Sequence, residues 1–142
     1  MNDKEIVNRA MNISKAQNKR MYEIFEWVKY LLITKLNLSV STVYPREGAG
    51  VYIYGSTPVR ILGRLNNDVM TISIENIESI DSLESVMVMV IATVISKAKN
   101  DNIVALLVDH GGNERLITIL ENNRLVAYDD SRHMLVVSNH EY

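Results

Sequence analysis

The chain has 142 residues, of which 47% are apolar and 23% are charged, and it contains no cysteine. This composition is typical of one compact domain, and it excludes a disulfide framework, a thiolate zinc site and a cysteine nucleophile. The formal net charge of −2 provides no basic field for nucleic acid, so we do not expect a nucleic-acid partner. The longest apolar run, residues 86–95, is about half the ~20 residues that a bilayer crossing needs, and the N-terminus lacks the apolar core of a signal peptide. We therefore expect a cytoplasmic protein without membrane contact.

The first predicted element is a helix over residues 14–36. Its apolar residues recur at spacings of three and four, which places them on one stripe. Ser14 and Gln17 fit a capping box at its start. Residues 6–11 are then either a separate short helix or a frayed extension of the same helix.

Charge divides the chain into two parts. Residues 1–37 carry seven Lys or Arg against four acids, a local charge of +3, whereas residues 38–142 carry eight against thirteen, a local charge of −5. We interpret residues 1–37 as a basic helical arm and residues 38–142 as an antiparallel α+β body, within one structural domain.

Strand signals follow the arm in two sets, each bounded by turn residues such as Asn-Asn and Gly-Ser-Thr-Pro. The predicted strands are 38–44, 51–54, 59–65 and 69–74 in the first set and 103–108, 115–121, 124–128 and 133–138 in the second. We expect the last four to form an up-and-down antiparallel meander. Two of these regions look alike, RILGRLNNDV (60–69) and RLITILENNRL (115–125). This likeness indicates either a weak internal duplication or two hairpins that converge on Asn-Asn turns.

Between the two strand sets, residues 80–100 predict a long apolar helix. Asp81 and Glu84 suit its N-terminus, and Lys97 and Lys99 suit its C-terminus. The run VMVMVIATVI also suits a buried strand, but length and capping favour the helix. Because apolar residues surround this helix almost completely, it must be covered by the sheet and the arm or by a second subunit.

Together these elements predict an α+β fold with an N-terminal helix, an antiparallel sheet and a long central apolar helix packed on the sheet, with a profilin-like topology as the alternative. The surplus of apolar helix surface indicates a homo-oligomer. The candidate interface residues are Trp27, Tyr30, Met87, Met89 and Ile91.

The order of elements over residues 67–128 resembles the Roadblock/LC7 profilin-like domains. There, as in NDVMTISIENIESIDSLESVMVMVIATVISKAKNDNIVALLVDHGGNERLITILENNRLVAY, a strand leads into an acidic turn and an apolar helix, and a meander follows. The chain departs from the family in residues 38–54 and in a strand-like C-terminus. The resemblance implies a dimer joined through its long helix and edge strands, which acts as a scaffold or as a regulator of a small GTPase or motor complex.

Polar turns form a second candidate site. In an up-and-down meander, the turns 109–114 and 129–133 lie at the same end of the sheet, which brings two histidines and several carboxylates together. Such a cluster could bind a divalent metal, carry out acid–base chemistry or hold an anion, although the same residue types serve ordinary turns. The candidate ligand-binding residues are Arg46, Arg60, Asp109, His110, Asn113, Asp129, Asp130, Arg132 and His133.

The sequence contains no HExxH, GxSxG or P-loop pattern, so we assign no catalytic residue, metal ligand or cofactor. The first hypothesis is therefore a non-catalytic protein-interaction or regulatory module that acts as a homo-oligomer on another protein. The alternatives are a protein that binds or sequesters a nucleotide or other small anion, and a metal-assisted hydrolase that uses His110 and His133.

Overall fold

The computed structural model describes residues 2–45, 48–66, 69–80, 82–98, 105–123, 128–129 and 133–138. The fold is α+β, as the sequence predicts. Its helices are α1 (Asp3–Leu36), α2 (Leu83–Ala98) and α3 (Glu114–Asn122), with a 3-10 turn at Ile77–Ser79. Its strands are β1 (Val40–Val43), β2 (Ala49–Ile53), β3 (Val59–Asn66), β4 (Val69–Glu75), β5 (Ala105–Asp109), β6 (Tyr128–Asp129) and β7 (His133–Ser138). Of the helices in these described residues, none is both long enough and apolar enough to span a membrane.

The strands form one mostly antiparallel sheet in the order β1-β2-β3-β4-β5-β7-β6. The exception is the β4–β5 pair, which is parallel and is connected through α2. Side chains from α1, α2 and α3 join one buried cluster with side chains from β2 to β5. The described helices therefore contribute to a shared core on one face of the sheet.

Strand β3 shows how the two faces of the sheet differ. Ile61 and Gly63 belong to the face that meets the helices, and Arg60 and Arg64 on the opposite face are exposed. A Cβ atom on Gly63 would lie 2.5 Å from a ring carbon of Phe25, so only glycine allows α1 to approach this closely. Helix α1 is thereby seated directly on the strand.

Helix α1 is longer than the sequence predicts. Asn2 caps it by accepting a hydrogen bond from the Glu5 N–H at 2.9 Å, and Asn37 ends it in the left-handed conformation with φ of 55°. The predicted start at Ser14 is therefore wrong, and of the two interpretations of residues 6–11 the extension of the same helix agrees with the structure. Residues 2–8, at the start of this helix, are exposed, whereas Met21, further along it, is buried in the core.

The second strand set contains the main error. The predicted strand 115–121 is helix α3, so the predicted up-and-down meander is wrong. The reason is that Leu116, Ile119 and Leu120, all buried, follow the helical spacing of three and four, and Asn113 caps the helix by accepting from the Leu116 N–H at 3.0 Å. The two similar segments thus adopt different structures.

The other predicted elements agree with the structure in type. Within the predicted helix 80–100 the structure has α2 at Leu83–Ala98, while residues 81, 99 and 100 lie outside the described residues. The predicted strands 38–44, 51–54, 59–65, 69–74 and 133–138 correspond to β1, β2, β3, β4 and β7. Strand β5 overlaps the predicted strand 103–108. Of the predicted strand 124–128, residues 124–127 lie outside the described residues, and β6 begins at Tyr128.

Candidate functional site

Helices α1 and α2 lie side by side and run in opposite directions. At one end, the Lys97 Nζ lies 5.4 Å from the ring centroid of Trp27, a cation–π distance. At the other end, Leu36 and Glu84 line the same groove. From Trp27 to Leu36 the chain of α1 thus runs from the end of α2 to its beginning, so the two helices are antiparallel. We call the cleft between the two helices the valley.

An aromatic pair stands beside this valley. The rings of Trp27 and Tyr30 are stacked, with centroids 5.2 Å apart and an angle of 10° between the ring planes. Their spacing of three residues puts both on one side of α1. Trp27 is 46% exposed and Tyr30 is 51% exposed, so the stack presents a broad apolar area to solvent.

The valley holds a groove of about 590 Å³. Its apolar lining comes from Leu31 and Leu36 of α1 and from Val88, Met89 and Ala92 of α2. The hydroxyl of Thr93, which also lines the groove, donates to the Met89 carbonyl at 2.7 Å and is therefore already used. We call the surface formed by Trp27, Tyr30, Leu31, Val88, Met89 and Ala92 the helical surface.

The helical surface exists because α2 has more apolar positions than its core-facing side can bury. Met87 and Ile91 are completely buried in the core of the chain, which corrects their prediction as interface residues. Met89 and Ala92 fall on the other side of the helix by their spacing and reach the surface. Trp27 and Tyr30, also predicted as interface residues, are exposed.

A second groove, of about 450 Å³, adjoins the aromatic pair and is lined in part by Lys19, Glu23 and Glu26. Glu26 accepts hydrogen bonds from the Tyr44 hydroxyl and from the Thr42 hydroxyl, the latter at 2.8 Å, and it pairs with Lys29 at 2.9 Å. These contacts stabilise the carboxylate form, the Tyr44 hydrogen bond most, and lower the pKa of Glu26 from 4.5 to about 2. Glu26 thereby fastens the edge strand β1 to α1.

The turn between β5 and α3 carries three of the predicted ligand-binding residues, Asp109, His110 and Asn113. The Gly111 N–H donates to the Asp109 carboxylate at 3.1 Å, and the Gly112 N–H donates to the Nδ1 of His110 at 2.9 Å. In a strand–glycine–helix turn, a phosphate would be bound by such amides. Here they already have acceptors inside the turn, and Asn113 caps the first turn of α3.

The structure brings some predicted ligand-binding residues together. Asp109 and His133, one residue from each predicted turn, are direct neighbours on β5 and β7. They meet because β7 pairs with β5, and not because the strands form a meander.

The remaining candidates are separate from this pair or lie outside the described residues. Arg60 lies on the exposed face of β3 and forms a salt bridge of 2.9 Å with Glu75, while Asp129 lies on β6 opposite Met134. Arg46, Asp130 and Arg132 are outside the described residues. In the part of the chain that the structure describes, no three His, Cys, Asp or Glu side chains are grouped so that they could hold a metal ion.

Sequence reasoning missed several members of the helical surface, namely Leu31, Val88 and Ala92. The apolar stripe predicted for the helix 14–36 includes Leu31, which is only partly buried and lines the groove. The available signal was the circumference of α2: a helix that is apolar on every side must expose some of its apolar residues unless it is enclosed. Which apolar residues of α2 are exposed depends on which side of this helix packs against the core.

Comparison of the chain with family models, with curated proteins and with solved structures finds no match. The resemblance to Roadblock/LC7 domains therefore stays a prediction. The functional argument depends on the geometry of the helical surface.

Proposed function

We propose that the chain is a non-catalytic protein-interaction module that acts as a homo-oligomer and docks through the helical surface. The observation that carries this proposal is the stacked and exposed pair Trp27–Tyr30, in which Trp27 lies one helical turn before Leu31, a residue that lines the apolar groove between α1 and α2. Trp and Tyr are the residue types that dominate binding energy at protein interfaces. A rigid, stacked pair also loses little conformational freedom when it is covered.

The free energy gained by covering Trp27 and Tyr30 favours docking over their permanent exposure to solvent. At about half exposure, the two rings present on the order of 200 Å² to water, and covering that area is favourable by roughly 5 kcal/mol before the cost of association. The groove beside them offers further apolar area from Met89 and Ala92. A contiguous apolar patch of this kind is a common feature of interaction sites.

The proposal agrees with the resemblance to Roadblock/LC7 domains, which implies dimerisation through a long helix and a regulatory role on another protein. The hydrogen bonds inside the β5–α3 turn favour it over the anion-binding alternative, because an anion would have to displace acceptors that the Gly111 and Gly112 amides already have. The hydrolase alternative lacks a described cluster of metal-binding side chains.

Sedimentation velocity at micromolar concentration tests the proposal. We expect the wild-type chain to sediment as an oligomer and the double variant Trp27→Ala/Tyr30→Ala to dissociate at least about tenfold more readily. Tyr54→Ala is the matched control, because Tyr54 is an equally exposed aromatic residue (57%) outside the helical surface. A wild-type chain that remains monomeric at these concentrations contradicts the proposal.

A further inference from the structure

Strand β1 lies at one edge of the sheet and directs part of its backbone hydrogen-bonding groups outward. The Tyr54 N–H donates to the Ser39 carbonyl at 2.9 Å, and this pair continues the register of β1 with β2. Because hydrogen-bonded pairs alternate along an antiparallel ladder, Ser41 also bonds to β2, whereas the N–H and C=O groups of Val40 and Thr42 point away from it. Among the described residues no strand pairs with that side of β1, so these groups are available to another chain.

The sequence of β1 does little to protect this edge. Natural edge strands avoid pairing with other chains through charged side chains, prolines, bulges or a short length. The strand VSTV has neither a charge nor a proline, its pairing with β2 has no register shift, and only its length of four residues limits further pairing. Its β-branched residues also favour the extended conformation. The edge is therefore suited to pairing with a strand of another chain.

A stripe of side chains on α1 continues the surface of this edge. Its members, which we call the outer flank, follow spacings of three and four residues: Tyr22, Glu26, Lys29 and Ile33. Two contacts place the outer flank above β1, since the Tyr22 and Tyr44 ring centroids are 4.6 Å apart and Glu26 accepts from the Thr42 hydroxyl at 2.8 Å. Ile33 is 40% exposed, and Glu26 and Lys29 remain partly exposed although they pair with each other.

The edge strand is complementary to itself. When two copies of β1 pair antiparallel about a two-fold axis at Ser41, Val40 of each copy lies opposite Thr42 of the other. The outward N–H and C=O groups of these two residues then bond to each other, as in any hydrogen-bonded antiparallel pair. Ser41 of each copy lies opposite Ser41 of the other, between the two hydrogen-bonded pairs.

The outer flank is complementary to itself as well. When two copies of α1 lie antiparallel with a two-fold axis between residues 27 and 28, Glu26 of each copy lies opposite Lys29 of the other. In the same register, Tyr22 of each copy lies opposite Ile33 of the other. Opposite charges thus meet near the axis, and apolar side chains meet at both ends of the contact.

The strand register and the helix register share one axis. The contact of Glu26 with Thr42 and that of Tyr22 with Tyr44 show that β1 runs back along α1. From Thr42 to Ser41 the strand advances about 3.3 Å, and from Glu26 to the point between residues 27 and 28 the helix advances about 2.3 Å in the same direction. The two axis positions thus agree to within about 1 Å, so one arrangement satisfies both pairings.

We propose that β1 and the outer flank of α1 bind the same surface of a second copy of this chain. The two-fold axis is perpendicular to the sheet, so the two sheets become one continuous sheet and both α1 helices lie on the same face of it. This contact goes beyond the proposed function, because it uses no residue of the helical surface. It leaves the helical surfaces of the two copies exposed side by side. It also lies outside residues 67–128, the region that resembles Roadblock/LC7 domains.

Disulfide formation through one introduced cysteine tests the register, because the natural chain has none. In Ser41→Cys the two cysteines meet at the axis as a non-hydrogen-bonded pair, whose Cα atoms are about 4.5 Å apart, a separation that a disulfide spans. The matched control is Ser39→Cys, which lies on the same side of the strand but about 13 Å along the strands from its counterpart. We expect Ser41→Cys to form a covalent dimer, seen on a non-reducing denaturing gel, at least about tenfold faster than Ser39→Cys.

Sedimentation velocity of the full chain tests the hydrogen bonds at the edge. Val40→Pro removes an outward N–H that β2 does not use, so the sheet of each copy is retained while one hydrogen bond per copy is lost from the contact. Val40→Ala is the matched control, because it shortens the same side chain and keeps the N–H. We expect Val40→Pro to weaken association at least about tenfold relative to Val40→Ala. Urea denaturation checks that both variants are folded, and the cysteine test does not depend on either.

The outcomes separate this contact from the helical surface. Preferential oxidation of Ser41→Cys together with the selective loss of association in Val40→Pro supports the edge contact. If Trp27→Ala/Tyr30→Ala leaves this association unchanged, the edge contact stands and docking between copies at the helical surface is contradicted. A wild-type oligomer that Trp27→Ala/Tyr30→Ala dissociates, with equal oxidation of the two cysteine variants, overturns the edge contact and leaves the proposed function in place. A monomeric wild-type chain overturns both.

Discussion

Two segments of the molecule have similar sequences and different structures. RILGRLN, residues 60–66, lies in strand β3, whereas RLITILEN, residues 115–122, lies in helix α3. Each begins with arginine, continues with isoleucines and leucines, and approaches an Asn-Asn pair. The position that is Gly63 in the first segment is Thr118 in the second.

The difference lies in spacing and in neighbours rather than in residue types. In β3, Ile61 and Gly63 face the helices, Arg60 and Arg64 are exposed on the opposite face, and the strand pairs with β2 and β4 on its two sides. In α3, the buried residues follow spacings of three and four, and Asn113 supplies an N-cap that β3 lacks. Where two segments have similar compositions, the spacing of the buried residues and the presence of an N-cap therefore decide between strand and helix.

The largest loss of stability is expected at Gly63 of β3, the position that corresponds to Thr118 of α3. Gly63→Val places atoms where Phe25 and Met21 of α1 already lie, so we expect a loss of about 3 kcal/mol in the free energy of unfolding, measured by urea denaturation. Thr118→Val, at the equivalent and exposed position of α3, is expected to change it by less than about 0.5 kcal/mol. Equal losses of stability at the two positions would contradict the difference in packing between Gly63 and Thr118.

The two leading arginines provide a smaller test. Arg115 donates to the Ile80 carbonyl at 2.7 Å in a partly buried contact, whereas Arg60 pairs with Glu75 on the exposed sheet face. We expect Arg115→Ala to cost about 1.5 kcal/mol and Arg60→Ala less than about 0.5 kcal/mol, because a charged hydrogen bond to a buried carbonyl is worth more than a surface ion pair. Thermal unfolding of both variants checks the order, and a reversed order would contradict it.

Lowering the pH is expected to have the smallest effect on stability and to act where β1 contacts α1. The pKa of Glu26 falls from 4.5 to about 2 on folding, so its stabilising contribution is complete above pH 4.5 and is lost as the pH decreases toward 2. We expect the urea midpoint of the wild-type chain to decrease over this range, with amide signals of β1 affected before those of α3. In Glu26→Gln this part of the pH dependence should be absent. A variant that retains the full wild-type slope would show that Glu26 does not fasten β1.

Much of the fold could be predicted from the sequence because its signals are local. The α+β class, the end of α1 at Leu36, helix α2 and most strands follow from periodicity and turn residues. The start of α1 was missed because Ser14 and Gln17 imitate a capping box, while the actual cap is Asn2. Helix α3 is predicted as a strand because residues 115–121 form a short apolar segment between two groups of turn residues, although the spacing of Leu116, Ile119 and Leu120 is helical.

The candidate site was predictable only in part, for a geometric reason. The sequence indicates that α2 is too apolar to expose nothing, and it selects Trp27, Tyr30 and Met89, which the structure leaves at or near the surface. It does not indicate which side of α2 meets the core, so Met87 and Ile91 were assigned to a surface that they do not reach. That choice depends on the parallel β4–β5 pairing, a contact between segments far apart in the chain.

The order of the strands has a consequence for how the chain acquires its structure. Strands β1 to β4 are joined in the order in which they occur, so each pair can form by closing one short loop, a fast event. Strand β5 reaches β4 only after α2 has crossed over, and β7 then enters between β5 and β6. We therefore expect refolding to begin in the N-terminal half and to finish with the insertion of β7, and pulse-labelled amide exchange should show protection in that sequence.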